Sequence, residues 1–354
     1  MNTLLERAKR EGTPLIDGED VTFVWEGETA PALMNDITGW WDVGQSPPMQ
    51  QVEPGVWATT LAIPRNAFIE YAYAVNPLPD TDWNEFRALD PLNPRAKSNG
   101  VGAFNNYFYM PDAHPTPLIK RAKGIARGTV TRHKVQTFGQ AAGKERAVML
   151  YQPPTDEPAP LVLVLDGYDY VNQGKMPAIV DNLIAQNRIR PIALALPQNG
   201  RDARSVEYGC SDVTYNFFRW SLRPLAERHL HLINVDDHPG AWAVLGASMG
   251  GLMSLYLGLR NPHIFGHVLS QSGAFTMSDY DMIVYHLVQQ GVARSLKIWM
   301  DCGSYDFLID TNRRMAPLLQ EKGYNVIYQE YVGGHNYYAW RDDLADGLIA
   351  LFGR

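Results

Sequence analysis

The hydrophobic and polar positions of the chain follow one pattern before residue 111 and a different pattern after it. In the first part, apolar residues alternate with polar residues in short runs that Pro, Gly and Asn separate. The clearest runs are residues 21–25, 56–63 and 68–75. Alternation with a period of two buries one face of a β-strand, and no helical pattern lies between these runs. We therefore predict a small antiparallel β-sandwich, preceded by a short helix over residues 3–11.

A proline-rich segment separates the two patterns. Residues 111–117 contain three prolines, which favour an extended linker without a fold of its own. We place an all-β domain at residues 1–110, a linker at residues 111–122 and a second domain at residues 123–354. A chain of 354 residues is long enough for two domains, each with its own core.

The second domain alternates continuous apolar runs with segments of helical periodicity. Continuous runs are typical of strands that are buried on both faces. Strands are predicted at residues 127–138, 146–153, 161–165, 192–196, 241–245, 268–270, 296–300 and 326–331, and helices at residues 176–186, 212–229, 249–260, 280–290, 311–322 and 340–352. This alternation predicts βαβ units in a mostly parallel sheet with helices on both sides.

A candidate nucleophile lies where one predicted strand meets one predicted helix. Residues 243–252 combine an apolar strand, a Gly-Ala-Ser-Met-Gly turn and the start of a helix, which is the form of a nucleophile elbow with Ser248 at its tip. Gly246 and Gly250 have no Cβ atoms, so the strand and the helix can approach each other closely. The alternative is a serine in a purely structural turn. The strand before it and the helical spacing after it favour the nucleophile.

A serine hydroxyl needs a general base, and the base needs an orienting carboxylate. In α/β-hydrolases these follow the serine in the order acid, then histidine. His335 comes after a glycine pair and before the last predicted helix, which makes it the candidate base. Asp306 lies in a turn after a buried strand and is the candidate acid, with Asp301 at the strand end as the main alternative. Asp310 is better interpreted as the N-cap of the following helix.

The tetrahedral intermediate of ester hydrolysis also needs an oxyanion hole. One donor is expected to be the backbone N–H of Met249, which follows the serine. The second is expected from the loop after the strand at residues 161–165, where Gly167 allows a close approach and Tyr168 supplies the N–H. Each such donor typically contributes about 3 kcal/mol to transition-state stabilisation.

Charge and composition exclude several other classes of protein. The formal net charge is −7 and no run of Lys or Arg occurs, so neither nucleic acid nor an anionic membrane surface is an expected partner. No apolar stretch is long enough to span a membrane, and residues 1–11 lack the apolar core of a signal peptide. These features predict a cytoplasmic protein.

The cysteines and histidines predict neither a disulfide framework nor a metal site. Cys210 and Cys302 are far apart in sequence and are interpreted as reduced thiols, with a single bridge as the open alternative. His229, His231 and the Asp-Asp-His run at residues 236–238 lack the spacing of known metal ligands, so we interpret them as a solvated loop. No glycine-rich nucleotide motif is present, and no cofactor or metal is expected.

Several segments together resemble the enterochelin (ferric enterobactin) esterase family, within the esterase-D and feruloyl-esterase-like α/β-hydrolases. These segments are Trp25 and residues 39–41, 90–95, 165–167, 204–212, 246–251 and 333–335. The resemblance covers nearly the whole chain. It implies an α/β-hydrolase fold preceded by an immunoglobulin-like β-sandwich, and a triad formed by Ser248, Asp306 and His335. The chain departs from the family at residues 220–224, Trp-Ser-Leu-Arg-Pro, where relatives tend to carry acidic residues before the proline.

These observations predict a serine carboxylesterase that works through an acyl-enzyme, with a siderophore-type lactone as the favoured substrate. Feruloyl or acetyl-xylan esters, acyl transfer by the same triad, and a non-catalytic carbohydrate-binding protein on a hydrolase scaffold are the alternatives. The expected partner is a small-molecule ester, and an oligomer is left open. The candidate substrate-binding residues are Trp40, Trp41, Arg204 and Tyr208. Adjacent tryptophans can stack on aromatic or sugar rings, although one of them in the core and one at the surface is the alternative.

Overall fold

The computed structural model describes residues 3–40, 46–77, 82–100, 102–278 and 280–354. By its internal packing the chain forms two units. The first consists of Met1–Pro115, Gly303–Phe307 and Tyr331–Ala339, and the second of Thr116–Cys302, Leu308–Glu330 and Trp340–Arg354. The predicted division was a single cut at the linker. The structure differs because two short segments from late in the chain, which carry Asp306 and His335, pack with the N-terminal unit.

The first unit contains one short helix and two antiparallel sheets. The helix is α1 (Leu4–Glu11), and the strands are β1 (Leu15–Asp17), β2 (Asp20–Glu26), β3 (Ala32–Asn35), β4 (Gln50–Glu53), β5 (Val56–Ala62), β6 (Phe68–Ala74), β7 (Arg87–Ala88), β8 (Ala96–Ser98) and β9 (Phe104–Tyr109). One sheet has the order β1-β2-β5-β4 and the other β3-β6-β9-β8, with β7 paired to β6. The helix and the three clearest predicted strands are confirmed.

The apolar faces of the two sheets share one core, which makes them a sandwich. Phe23 of β2 meets Tyr71 of β6 edge-on, with 5.0 Å between the ring centroids. Such aromatic pairs add stability beyond the area that they bury. Tyr305 and Val332, from the two late segments, pack against this same core. The sandwich core therefore anchors both segments.

The second unit is built on an eight-stranded sheet of order β10-β11-β13-β12-β14-β15-β18-β19. Its strands are β10 (Thr129–Gln136), β11 (Glu145–Gln152), β12 (Leu161–Val164), β13 (Ala193–Pro197), β14 (Trp242–Ala247), β15 (Phe265–Gln271), β18 (Lys297–Gly303) and β19 (Asn325–Tyr331), and β16 (Thr276–Met277) with β17 (Tyr280–Asp281) forms a separate hairpin. Strand β11 runs antiparallel to both of its neighbours, β10 and β13. The pairs from β13 through β12, β14 and β15 to β18 are parallel. The mostly parallel sheet is confirmed.

Helices connect these strands, and most of them match the predictions. They are α2 (Gly167–Asn172), α3 (Met176–Ala185), α4 (Arg204–Tyr208), α5 (Asp212–Phe217), α6 (Arg223–His229), α7 (Met249–Arg260), α8 (Ile283–Gln290), α9 (Ile309–Glu321) and α10 (Tyr337–Phe352). The helix predicted over residues 212–229 is divided, because a π-helical turn at Phe218–Leu222 separates α5 from α6. The helix predicted to begin at residue 280 begins at Ile283, since Tyr280–Asp281 pairs as β17.

Two further local predictions are corrected. Asp310 is not the N-cap of α9, because Leu308 holds that position and Asp310 lies in the first turn. A carboxylate there still interacts favourably with the positive end of the helix dipole. The second half of the predicted linker is not free of structure either. The Asn182 side chain donates to the carbonyl oxygens of Leu118 and Lys120, which fixes that segment on α3.

Two further predictions concern the state of the cysteines and the absence of a membrane-spanning segment. Cys210 and Cys302 are both unbridged thiols, as predicted. Within the described ranges, no helix has the length and apolar character that a membrane span requires.

A pair of buried carboxyl groups lies between β18 and α10. The Asp301 carboxyl accepts hydrogen bonds from Trp299 Nε1 at 2.7 Å and from Gln271 Nε2 at 3.1 Å. Both of these bonds end on Asp301 Oδ2. Asp301 Oδ1 and Asp343 Oδ2 are buried and have no donor among the other described residues. The two carboxyl groups form a hydrogen bond with each other. Burial, with the neighbouring carboxyl, raises the pKa of Asp301 well above its usual range. Burial also raises the pKa of Asp343 to about 7.

The Asp301–Asp343 pair makes stability depend on pH. The folded state retains a proton that the unfolded chain loses above about pH 4, so the free energy of unfolding should fall as the pH rises from about 4 to about 7. Asp343→Asn should flatten this dependence, measured by urea denaturation at about pH 5 and about pH 8. Glu321→Gln, exposed at the end of α9, is the control and should leave the slope nearly unchanged. A wild-type slope in Asp343→Asn would contradict the shared proton.

Candidate active site

Ser248 lies between β14 and α7, in the second unit, with a strained backbone. Its φ is 59° and its ψ is −123°, a region that residues with a Cβ rarely adopt. Its N–H donates to the Gln271 carbonyl oxygen at 2.9 Å, which holds the turn on β15. A Cβ at Gly246 would lie 2.6 Å from the Gly250 carbonyl group, so only glycine fits there. This is the geometry expected of a nucleophile elbow.

The two predicted oxyanion donors both lie at helix starts in the second unit. Met249 is the first residue of α7, and the first turn of a helix has N–H groups without intrahelical partners. Tyr168 is not in a loop as predicted, because α2 already begins at Gly167. A Cβ at Gly167 would lie 2.4 Å from the Leu196 backbone, so this helix starts directly against β13. Both N–H groups belong to helix ends that favour negative charge.

An ion pair supports the start of α2. The buried Asp166 carboxylate accepts from Arg204 Nε at 2.8 Å and Nη2 at 2.7 Å, and from Asn199 Nδ2 at 2.7 Å. The Asp166 N–H donates to the Tyr208 hydroxyl at 3.1 Å, and Tyr208 is 3% exposed. The Tyr208 hydroxyl therefore supports the chain before Tyr168, and its contact with substrate stays a prediction. Arg204 retains some exposure and stays a predicted substrate contact.

The candidate acid and base meet in the first unit. His335 Nδ1 lies 2.9 Å and 3.0 Å from the two carboxylate oxygens of Asp306. The Asp306 side chain is fully buried and that of His335 is 11% exposed, so little water competes for this bond. An Nδ1–H that donates to a carboxylate leaves Nε2 as the nitrogen that can accept a proton. Asp301, the alternative acid, is instead engaged with Trp299 and Gln271 in the second unit.

The glycine pair before His335 is packed tightly within the first unit. The Gly333 carbonyl oxygen accepts from the Tyr305 N–H at 3.1 Å, and a Cβ at Gly303 would lie 2.2 Å from that oxygen. A Cβ at Gly334 would lie 2.2 Å from the Asp36 carboxyl. The sequence analysis singled out the glycines but not Asp36.

A cavity of about 340 Å³ adjoins the acid and base in the first unit. Residues 36–40, residues 304–307 and His335 line it. The exposed Phe307 ring lies 4.6 Å from the His335 ring, and Trp40 Nε1 donates to Asp36 Oδ1 at 3.0 Å. Apolar walls with a few polar groups are typical of small-molecule sites. Trp41, the second predicted tryptophan, lies outside the described residues.

The histidine groups that we interpreted as a loop show no metal geometry. Across the part of the chain that the structure describes, no set of three or more His, Cys, Asp and Glu side chains could hold a metal ion. The His229 ring packs on the His133 ring, with 4.4 Å between their centroids.

Comparison with known proteins identifies the family. Residues 139–351, more than half of the chain, match the Esterase family, described as putative esterase. The chain belongs to this esterase family. It is an ester hydrolase, and family membership argues against the alternative of a non-catalytic carbohydrate-binding protein.

Relatives of this esterase extend the likeness to nearly the whole chain. The iron(III) enterobactin esterase of Dickeya dadantii is 28% identical over 97% of this chain and 91% of that protein. The iron(III) enterobactin esterase of Escherichia coli K12 is 24% identical over 94% and 91%. A Shigella flexneri enterobactin esterase, crystallised in the presence of enterobactin, has a TM-score of 0.77 at 22% identity and covers 98% of this chain and 97% of its own. A ferulic acid esterase has a TM-score of 0.54 at 18% identity and covers 63% of this chain and 97% of its own.

The elbow of this esterase should not tolerate a side chain at Gly246. Gly246→Ala places a methyl group 2.6 Å from the Gly250 carbonyl group, so the turn must open and the protein should lose both thermal stability and esterase activity. The structure leaves more room at Gly250 than the sequence analysis predicted, since its Cβ would lie 3.3 Å from an Asp166 oxygen and require only a small shift, so Gly250→Ala is the matched control. Thermal unfolding and hydrolysis of p-nitrophenyl acetate measure both effects. Equal tolerance of the two substitutions would contradict this account of the elbow.

Proposed function

We propose that this protein is a serine carboxylesterase whose triad is Ser248, His335 and Asp306. Two observations support the proposal: the strained elbow at Ser248, and the buried hydrogen bond between His335 and Asp306. The second observation carries the most weight, because it gives the imidazole a fixed tautomer. Ordered imidazole tautomers are what general-base catalysis by histidine requires.

The chemistry follows the usual two steps of acyl transfer. Ser248 Oγ attacks the ester carbonyl carbon while His335 Nε2 accepts its proton. The N–H groups of Met249 and Tyr168 stabilise the oxyanion, and collapse of the intermediate releases the alcohol, which takes the proton from His335. Water then attacks the acyl-enzyme with the help of the same imidazole. Asp306 keeps its charge throughout and stabilises the imidazolium.

We propose a siderophore-type, enterobactin-like lactone as the substrate. The curated relatives named above as iron(III) enterobactin esterases match this chain over more than nine-tenths of its length. The cavity beside His335 offers the rings of Trp40 and Phe307 as walls, which suit flat aromatic groups. The first unit then serves as an immunoglobulin-like domain that contributes to substrate binding.

Carbohydrate esters are the second candidate. The likeness to a ferulic acid esterase supports them, but it leaves over a third of this chain without a counterpart. Acyl transfer would use the same residues and differs only in the acceptor. Product analysis with added alcohol or sugar acceptors separates transfer from hydrolysis, and kcat/KM for a siderophore lactone, a feruloyl sugar, acetyl xylan and a simple acyl ester ranks the substrates.

Removal of the nucleophile should abolish ester hydrolysis. Ser248→Ala should lower kcat for p-nitrophenyl acetate by about 10³-fold or more, and Asp306→Asn should lower it by about 10³- to 10⁴-fold, because the imidazole loses its tautomer. Circular dichroism and thermal unfolding verify that the variants are folded. Retention of most of the activity in Ser248→Ala would sink the assignment.

The Trp40 ring should matter for bulky aromatic esters and not for small ones. Trp40→Ala should lower kcat/KM for enterobactin by about tenfold and leave p-nitrophenyl acetate within about threefold, since only the larger acyl group reaches the ring. Trp220→Ala removes an exposed tryptophan of the second unit and should change neither value. An equal effect of Trp40→Ala on both esters would argue against a role in substrate selection.

A further inference from the structure

A buried carboxyl group of the N-terminal sandwich lies directly beneath the loop that carries the base. Asp36 follows β3 and is 7% exposed. Its Oδ2 accepts from the Glu70 N–H at 2.8 Å, and its Oδ1 accepts from Trp40 Nε1 at 3.0 Å. Both carboxyl oxygens are therefore fixed by donors of the first unit.

We infer that Asp36 is a positioning residue for His335. Its carboxyl group fills the space under Gly334 and so holds the loop that presents the imidazole to Asp306. The inference rests on the proposed function of His335 as general base. It assigns to the N-terminal sandwich a part in the chemistry, in addition to its part in the cavity wall.

The packing under Gly334 leaves no room for adjustment. A Cβ at this position would lie 2.2 Å from Asp36 Cγ and Oδ1 and 2.7 Å from Oδ2, all below the distances that real Cβ contacts show. On the other side, the Gly333 carbonyl oxygen accepts a hydrogen bond from the Tyr305 N–H. It also lies so close to Gly303 that a Cβ on that residue would clash with it. The loop is thus held between the Asp306 segment and Asp36, and these contacts restrict the backbone conformation of residues 333–334.

The charges around Asp36 indicate what its carboxyl group contributes. Burial, followed by the nearby charges of Glu70 and Asp306, raises the pKa of Asp36 well above its usual range. Burial also raises the pKa of Glu70 to about 7, although Asn105 Nδ2 donates to it at 2.7 Å. A raised pKa means that the Asp36 carboxyl resists ionisation, so it adds less negative charge beside Asp306 than an exposed carboxylate would. Its contribution is therefore volume and hydrogen bonding.

A purely structural role in the sandwich is the competing explanation, and the chain offers a matched control. Asp90 is 2% exposed and accepts from Thr13 Oγ1 at 2.7 Å and from the Tyr71 hydroxyl at 2.8 Å. It belongs to the same unit. Within the described ranges, none of the hydrogen bonds of its side chain reaches the segments of Asp306 and His335. Asp90→Ala should lower the melting temperature while leaving kcat unchanged.

The test is a double-mutant cycle, after wild-type hydrolysis of p-nitrophenyl acetate is shown to depend on Ser248. Gly334→Ala should lower kcat by about 100-fold with KM within about threefold, since the imidazole is displaced while substrate still binds. Adding Asp36→Ala should restore at least about tenfold, because the methyl group enters the vacated space. Asp36→Ala alone should cost about tenfold or more, and Asp36→Asn less, since the amide keeps the size and one acceptor.

Two kinetic results would overturn the inference. One is a double variant whose kcat is the product of the single effects, which would mean no coupling between Asp36 and Gly334. The other is an equal loss of kcat in Asp90→Ala at the same loss of stability.

A readout without turnover keeps this test separate from the proposed function. In histidine-labelled protein the His335 ring N–H resonance, assigned by its absence in His335→Gln, should shift in Asp36→Ala and not in Asp90→Ala. An unshifted resonance contradicts the inference even if the wild-type protein proves to use a different nucleophile.

Discussion

The strained backbone conformation of Ser248 is the constraint on which the proposed catalytic role of the second unit depends. A φ of 59° at a residue with a side chain costs on the order of 1–3 kcal/mol and persists only where the surroundings enforce it. The bond to the Gln271 carbonyl oxygen, the bare Gly246 and the immediate start of α7 supply that enforcement. The buried parallel strands on both sides of β14 hold the turn in place. Strain of this kind is concentrated at functional sites, which agrees with a nucleophile at this position.

The first unit carries the proposed acid and base, which its sandwich architecture does not suggest. Its core includes Tyr305 and Val332, so the segments that carry Asp306 and His335 are packed with the N-terminal sheets. The same unit provides the cavity lined by Trp40 and the carboxyl of Asp36 beneath Gly334. Under our proposals, one unit supplies the nucleophile with its oxyanion donors, and the other supplies the acid, the base and an aromatic wall.

Most of the fold, and all three proposed triad residues, could be predicted because local sequence carries their signals. Periodicity marked the strands, and chain order with flanking glycines marked Ser248, Asp306 and His335. Helices α2 and α4 were missed because five or six residues are too few to show a helical period. Asp36 was missed because its importance comes from residue 334, far along the chain. The bond between Tyr208 and Asp166 could not be predicted for a similar reason, since it depends on tertiary packing.

Reaction of the native protein with a fluorophosphonate, followed by mass spectrometry of its peptides, tests the central claim most directly. The reagent forms a stable adduct only with a serine that an adjacent base activates. The account predicts one adduct on the peptide that contains Ser248, slowed by substrate and lost in a folded His335→Ala variant. An adduct on a different residue, or none in a preparation that hydrolyses esters, would contradict the claim that Ser248 is the nucleophile.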